Sequence, residues 1–400
     1  MYAEHKVDYF NSTLLQSVCE AYNPIVDLWD NGAPATGLAG SDYEDFIFRD
    51  RVLDIIAAHD PAEPLFLVHT PHVAHCPLQV PPDWLARFGF VTNDEAECSV
   101  QTSYIFPAST PGDFRCRAQY HAMVSLLDEV LGNITGALKA RGMWEETLMV
   151  LTSDNGGPSD PQESASSNHP LRGGKYSHWE GGIRATAFVS GGFVPPAVRG
   201  TTNGGIVHIA DWLGTFCALA GVDPADAVAA AAGLPPVDSV NVWPLLSGAN
   251  ATSPRTEFPV APGALVSGNY KLLLGNQIEA TWAGAVYPNA SSPGRPVDPG
   301  PTLACGQAGC LFDVVADPTE HVDVAGAHPD VVAALKARLK ELEPGFYTNA
   351  DNFTGATICP PDANVTPCAC WAALNVWGRF LGPWSDYHYE GAAAGALPSA

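Results

Sequence analysis

Two short apolar runs constrain this chain more than any other feature. Residues 64–69 read Pro-Leu-Phe-Leu-Val-His and residues 147–152 read Thr-Leu-Met-Val-Leu-Thr. Each has the length of one buried strand. Between them, residues 118–141 place Met123, Leu126, Leu127, Val130, Leu131, Ile134 and Leu138 at helical spacing, and Gly142 supplies the stop. A third strand is expected over 183–190, and further helices over 46–58, 82–88 and 208–220. Strands alternating with helices predict an α/β fold: a largely parallel sheet flanked by helices. Past about residue 255 the pattern changes. Residues 265–274 alternate around a Gly-Asn turn, as in an antiparallel hairpin. Residues 310–315 read as another strand and 329–343 as an amphipathic helix. The expected organisation is a larger unit over 1–255 and a smaller α+β unit with an antiparallel sheet over 256–400.

Charge narrows the partners. With 43 acidic and 19 basic residues the net charge is −24. No basic stripe exists, which argues against nucleic acid. No run of 18 apolar residues exists, so no membrane span is expected. The acidic field repels anions at long range. Any anion site therefore has to be built locally, from a metal ion or a few Lys and Arg side chains.

The ten cysteines form no paired CxxC zinc pattern. Cys98 with Cys116, and Cys305 with Cys310, bracket loop-like segments and are candidate local disulfides. Sequons at Asn11, Asn133, Asn250, Asn289, Asn352 and Asn364, beside so many cysteines, point to the secretory pathway, lysosomal or extracellular. The stretch Met1-Tyr2-Ala3-Glu4-His5-Lys6 lacks the apolar core of a signal peptide. Secretory features without a secretory signal lead us to expect that the beginning is missing.

Three groups of residues could carry chemistry. Asp154-Asn155-Gly156-Gly157 follows the second strand, where open α/β sheets place their ligand sites. A carboxylate beside an amide oxygen offers two hard ligands to one cation, Ca²⁺ or Mg²⁺ rather than zinc, and the glycines let the backbone turn sharply. The same four residues also suit a strand-ending Asx turn that binds nothing, and spacing alone leaves both open. Lys175, in the Gly-rich segment Leu171-Arg172-Gly173-Gly174-Lys175-Tyr176-Ser177-His178-Trp179-Glu180-Gly181-Gly182, is the candidate oxyanion binder, because its flexible ammonium can follow a tetrahedral anion. His69, His72 and His75 follow the first strand. Without an evident fourth ligand or carboxylate support they make a poor zinc set. One histidine at a strand's end suits proton transfer, and a structural hydrogen bond is the default for each.

Taken together these segments resemble the sulfatases, most closely the arylsulfatase B type. The resemblance runs in order through residues 64–67, His75-Cys76-Pro77-Leu78-Gln79-Val80-Pro81, 123–132, 152–157, 170–182, 207–213, 242–248 and 311–321. It implies an alkaline phosphatase-like core, here incomplete. It also implies hydrolysis of a sulfate ester, a small molecule or an oligosaccharide, with one Ca²⁺ ion and a formylglycine. Asp154 and Asn155 would ligate calcium. His75 and Lys175 would contact the sulfate or the leaving oxygen, so that cation and proton donor together offset the developing charge.

The family's nucleophile motif, C/S-x-P/A-x-R, should lie well upstream of His75, with an Asp-Asp calcium pair and a further Lys/His pair. None is present there. Ser291-Ser292-Pro293-Gly294-Arg295 fits the pattern but lies far downstream in a proline-rich loop, the wrong context. The expectation is a chain without its nucleophile segment, inactive as written, with an inner sheet edge left open. Alternatives are a secreted glycoprotein that kept the scaffold, and a phosphodiesterase of the same superfamily, which would need further Asp and His ligands.

Overall fold

The computed structural model describes residues 6–16, 24–91, 116–158, 166–282, 302–346 and 368–382. Two small antiparallel ribbons open the chain: β1 (Lys6–Asp8) with β2 (Thr13–Gln16), and β3 (Trp29–Asp30) with β4 (Ala33–Pro34). Helices α1 (Glu44–Ala58), α2 (Pro82–Ala86) and α3 (Cys116–Ala140) follow. They share one core around Ile56, Leu78, Met123 and Leu126. On α3 the fully or nearly buried residues Ala118, Ala122, Leu126, Val130, Ile134 and Leu138 recur every fourth position, a single apolar stripe. Gly142, at φ +70°, ends the turn as its sequence position implies.

Strand β5 (Met149–Thr152) leads to the first site segment. Helix α4 (Glu180–Ile183) and strand β6 (Ala187–Ser190) replace the single strand expected over 183–190. β6 runs antiparallel to β5, from Met149↔Ser190 to Thr152↔Ala187. The 64–69 run forms no strand and has no ladder partner among the described residues. Its Phe66 is 71% and its Val68 66% exposed. Apolar residues become a strand only where a neighbouring edge completes the backbone hydrogen bonds. Here a cavity of 3330 Å³ lies against both this run and β5.

Helices α5 (Asp211–Ala220), α6 (Ala227–Ala231) and α7 (Trp243–Leu246) come next. α6 is the Ala-rich insert, solvated and capped by Asp226, whose side chain accepts from Val228 N and Ala229 N. The last sheet has the order β10 (Leu303–Asp313), β9 (Tyr270–Gln277), β8 (Ala264–Ser267), β7 (Glu257–Ala261), all antiparallel. The β8–β9 hairpin turns at Gly268-Asn269, as its alternation predicts. Helix α8 (Pro329–Leu342) covers one face through Val332, Leu335 and Leu339 against Leu265, Leu272 and Leu311. Each such side chain contributes roughly 2 kcal/mol by burial. The other face receives Trp179, packed on Ala264, Leu273 and Phe312. Cys305 and Cys310 form a disulfide. Cys98, proposed as the partner of Cys116, lies outside the described residues. Helix α9 (Cys368–Asn375) brings the chain back to β3, where Trp29 Nε1 donates to Leu381 O.

Candidate active site

The segment after β5 is folded by its own side chains. Ser153 Oγ donates to Asn155 O at 2.6 Å, Asn155 N donates to Asp154 Oδ1 at 2.9 Å, and Asn155 Nδ2 donates to Gly156 O at 2.8 Å. Asp154 Oδ1 accepts from the next amide and not from the one two residues on, and Gly156 N is taken by Gly182 O, so the bonds are not those of an Asx turn. They use one carboxylate oxygen and the amide nitrogen. Among the described residues they leave Asp154 Oδ2 and Asn155 Oδ1 without a hydrogen bond. The two glycines serve close approach rather than the sharp turn expected of them. A Cβ on Gly156 would stand 1.7 Å from Gly181 O, and one on Gly157 would stand 2.1 Å from Ser166 Oγ. Gly156 N donates to Gly182 O at 2.9 Å across this contact.

Asn168 stitches the next loop to the glycines. Its Oδ1 accepts from Gly157 N at 2.9 Å, and its Nδ2 donates to Gly157 O at 2.7 Å and Gly173 O at 3.1 Å. Lys175 N also donates to Gly157 O. Lys175 therefore stands beside the Asp154 segment, and its Nζ reaches His75 Nε2 at 3.3 Å, across 100 residues of chain. His75 Nδ1 lies 2.7 Å from Cys76 O. A carbonyl only accepts, so Nδ1 carries a proton, and Nε2 is the acceptor for the ammonium. His75, Asp154, Asn155 and Lys175 all line the same cavity.

The other two histidines go elsewhere. His72 Nδ1 lies 3.1 Å from Glu44 Oε1, off the hydrogen-bonding direction but at ion-pair distance, and that contact holds the His72 imidazole above its usual range despite burial. His69 is lowered by burial. His72 and His75 thus have separate partners, and His69 Nε2 is buried with no hydrogen-bond partner among the described residues. Beside His72, burial and then the neighbouring Glu44 push the Asp45 carboxyl up to about 7.

Two hard oxygens from Asp154 and Asn155 suit Ca²⁺ in kind, and supply two of the roughly six to eight that it takes. Among the described residues no group of three His, Cys, Asp or Glu side chains forms a cage. Ser291, the downstream match to the nucleophile pattern, lies outside the described residues.

Sequence reasoning missed what holds the Lys175 loop. Arg172 is 7% exposed, with its guanidinium carbon 3.8 Å from the Trp179 ring centroid and 4.3 Å from that of Trp282. It donates to Glu320 O and Ala280 O, each at 3.1 Å. Lys271, the second residue of β9 and followed by three leucines, was the available signal: a lysine at a buried strand position requires an acidic partner.

A model of the family described as Sulfatase matches residues 2–222. Mouse arylsulfatase J is 32% identical over 335 residues, 79% of this chain and 51% of that protein. Human arylsulfatase A is 32% identical over 229 residues, 52% of this chain and 40% of that protein. Among solved structures, Ps i-CgsB, crystallised with k-i-k-neocarrahexaose, superposes with a TM-score of 0.54 at 21% identity, covering 76% of this chain and 56% of that one. A Bacteroides thetaiotaomicron protein solved in work on the metabolism of multiple glycosaminoglycans gives 0.51 at 20% identity, covering 86% and 65%. The fold is the α/β core of the alkaline phosphatase-like sulfatases with a C-terminal antiparallel sheet. The chain belongs to the sulfatase family, a family of hydrolases of sulfuric esters. Its curated relatives include the arylsulfatases J and A, and it spans about half the length of the first of them.

Proposed function

We propose that this chain carries part of the active site of a sulfuric ester hydrolase of the arylsulfatase B type, acting on a sulfated sugar. One observation carries the proposal: His75 and Lys175, distant in sequence, meet at 3.3 Å on the wall of the cavity that Asp154 and Asn155 also line. Lys175 would orient and neutralise a sulfuryl oxygen. With Lys175 turned to the sulfuryl oxygen, His75 would take up a proton from solvent at Nε2 and hand it to the departing alcohol. Ca²⁺, when bound by Asp154 and Asn155, would draw charge from the remaining sulfuryl oxygens. The Cys76 carbonyl fixes the imidazole's tautomer and direction.

A sugar substrate is favoured because a protein of this fold, Ps i-CgsB, was solved with k-i-k-neocarrahexaose. Transit through the secretory pathway is supported by the Cys305–Cys310 disulfide and by three sequon asparagines, Asn11, Asn133 and Asn250, which are exposed. No helix among the described residues is long and apolar enough to cross a membrane.

Calorimetry tests the proposal. The intact chain should bind Ca²⁺, and Asp154→Ala should lose it. Inorganic sulfate should bind in the presence of Ca²⁺, and Lys175→Ala should weaken that at least about tenfold. Unchanged Ca²⁺ affinity in Asp154→Ala together with unchanged sulfate affinity in Lys175→Ala would refute it.

A further inference from the structure

The loop that carries Lys175 is gripped at both ends from the C-terminal sheet and the segments that leave it. At its start, Gly173 N donates to Thr281 O at 2.9 Å, and Arg172 reaches the carbonyls of Ala280 and Glu320. At its end, Lys271 on β9 projects a fully buried ammonium into the turn before α4. Lys271 Nζ lies 2.8 Å from Glu180 Oε1, 2.6 Å from Glu320 Oε1 and 3.0 Å from His178 O. The second oxygen of Glu320 accepts from Glu180 N at 2.7 Å. Glu320 thus holds the ammonium and the first amide of α4 at once. Lys175 sits between the two grips and is tied to Gly157 from the third side.

The chemistry of the triad argues against stability as its purpose. One ammonium faces two carboxylates, and the buried Arg172 guanidinium beside Glu320 is a second cation. The nearest further cation on Glu180 is Arg184, 3.8 Å from Oε2 and half exposed. Burying three ions costs several kcal/mol each, and well-packed apolar side chains of the same volume hold a core as well or better. What ions do and apolar groups do not is fix direction, since the ammonium and carboxylates engage specific atoms of the loop. We infer that Lys271 and Glu320 are positioning residues for Lys175, setting from the C-terminal unit where its ammonium meets His75. The inference rests on the reading of Lys175 and His75 as an oxyanion site, and the test separates the two.

The intact chain is prepared with ¹³C-labelled lysine, and the Lys175 ε-methylene signal is assigned by its loss in Lys175→Met. Two variants are compared with the parent, Lys271→Met and Glu320→Gln. The glutamine keeps the shape but puts an NH₂ donor against either Lys271 or Glu180 N, so one contact is lost. Variants that keep parental circular dichroism should show a displaced Lys175 signal in the free protein. They should also bind inorganic sulfate at least about fivefold more weakly, since an ångström of misplacement costs heavily at such sites. If Lys271→Met does not fold, Glu320→Gln alone decides. Folded variants whose Lys175 signal and sulfate affinity match the parent overturn the inference. If the parent binds no sulfate, the oxyanion reading fails, and the displaced or unmoved free-state signal still decides the positioning role.

Discussion

Asp45→Asn should make the protein more stable at neutral and alkaline pH and leave it almost unchanged in acid. Asp45 is 1% exposed and stands beside the fully buried Glu44, so two carboxylates share one desolvated site. Burial first, and Glu44 second, raise its pKa from 3.8 to about 7; His72, the Val73 backbone and its own amide pull the other way. Tyr9 and Tyr43, also buried here, are raised too and stay protonated. Between 3.8 and about 7 the folded chain holds the Asp45 proton more tightly than the unfolded chain does. Stability from this group is therefore fully present below 3.8 and lost as the pH rises through 7. His72, raised by Glu44, acts in the same sense: its share is present below 6.5 and lost at higher pH. Three pH units correspond to about 4 kcal/mol at most, and coupling within the cluster reduces the observable part to about 2 kcal/mol. Asparagine mimics the neutral acid. Urea unfolding at about pH 8 should show the variant more stable by about 2 kcal/mol, and at about pH 5 the two should agree within about 1 kcal/mol. An equal difference at both pH values, or a less stable variant at high pH, would refute the reasoning.

Gly156→Ala should destabilise the fold by about 3 kcal/mol in urea, because the new methyl meets the Gly181 carbonyl and breaks the Gly156–Gly182 hydrogen bond. Gly132→Ala, on the exposed face of α3 with nothing within 4 Å, should instead stabilise by about 0.5 kcal/mol. Replacing Cys305 and Cys310 by serine opens a loop with a sequence separation of 5 and should cost about 2 kcal/mol, read by thermal melting. Arg172→Lys should cost about 2 kcal/mol, because an ammonium cannot both stack between two indoles and reach two carbonyls. The 400-residue chain, co-expressed with a formylglycine-generating enzyme, should turn over a chromogenic aryl sulfate no faster than a blank, since the lone C/S-x-P/A-x-R match sits at Ser291.

Much of this molecule was legible in the linear pattern. Helices α3 and α8 follow from periodicity, since a stripe of apolar residues every fourth position or so must be buried whatever it packs on. The β8–β9 hairpin follows from alternation around Gly268-Asn269, and the Asp154 segment from its place after an apolar run. These depend on near neighbours in the chain. The same run-length logic misjudged 64–69, because an extended segment becomes a ladder strand only when another edge arrives, and that is a long-range event. It also assigned Gly156 and Gly157 to turning, when their missing Cβ atoms matter for a crossing with Gly181 and Ser166.

The sequence by itself determined which residue types were available for chemistry: a carboxylate and an amide after β5, an ammonium in a glycine-rich loop, imidazoles after residue 64. Folding alone chose among the histidines, sending His72 to Glu44 and His75 to Lys175, because that choice depends on distances between residues that are not near neighbours in the chain. It also recruited Lys271 from the far sheet and Glu320 from the loop that follows β10 to hold the Lys175 loop. Local pattern encodes what a segment wants to bury; which charged atoms then face one another is set only when segments remote in the chain are packed together.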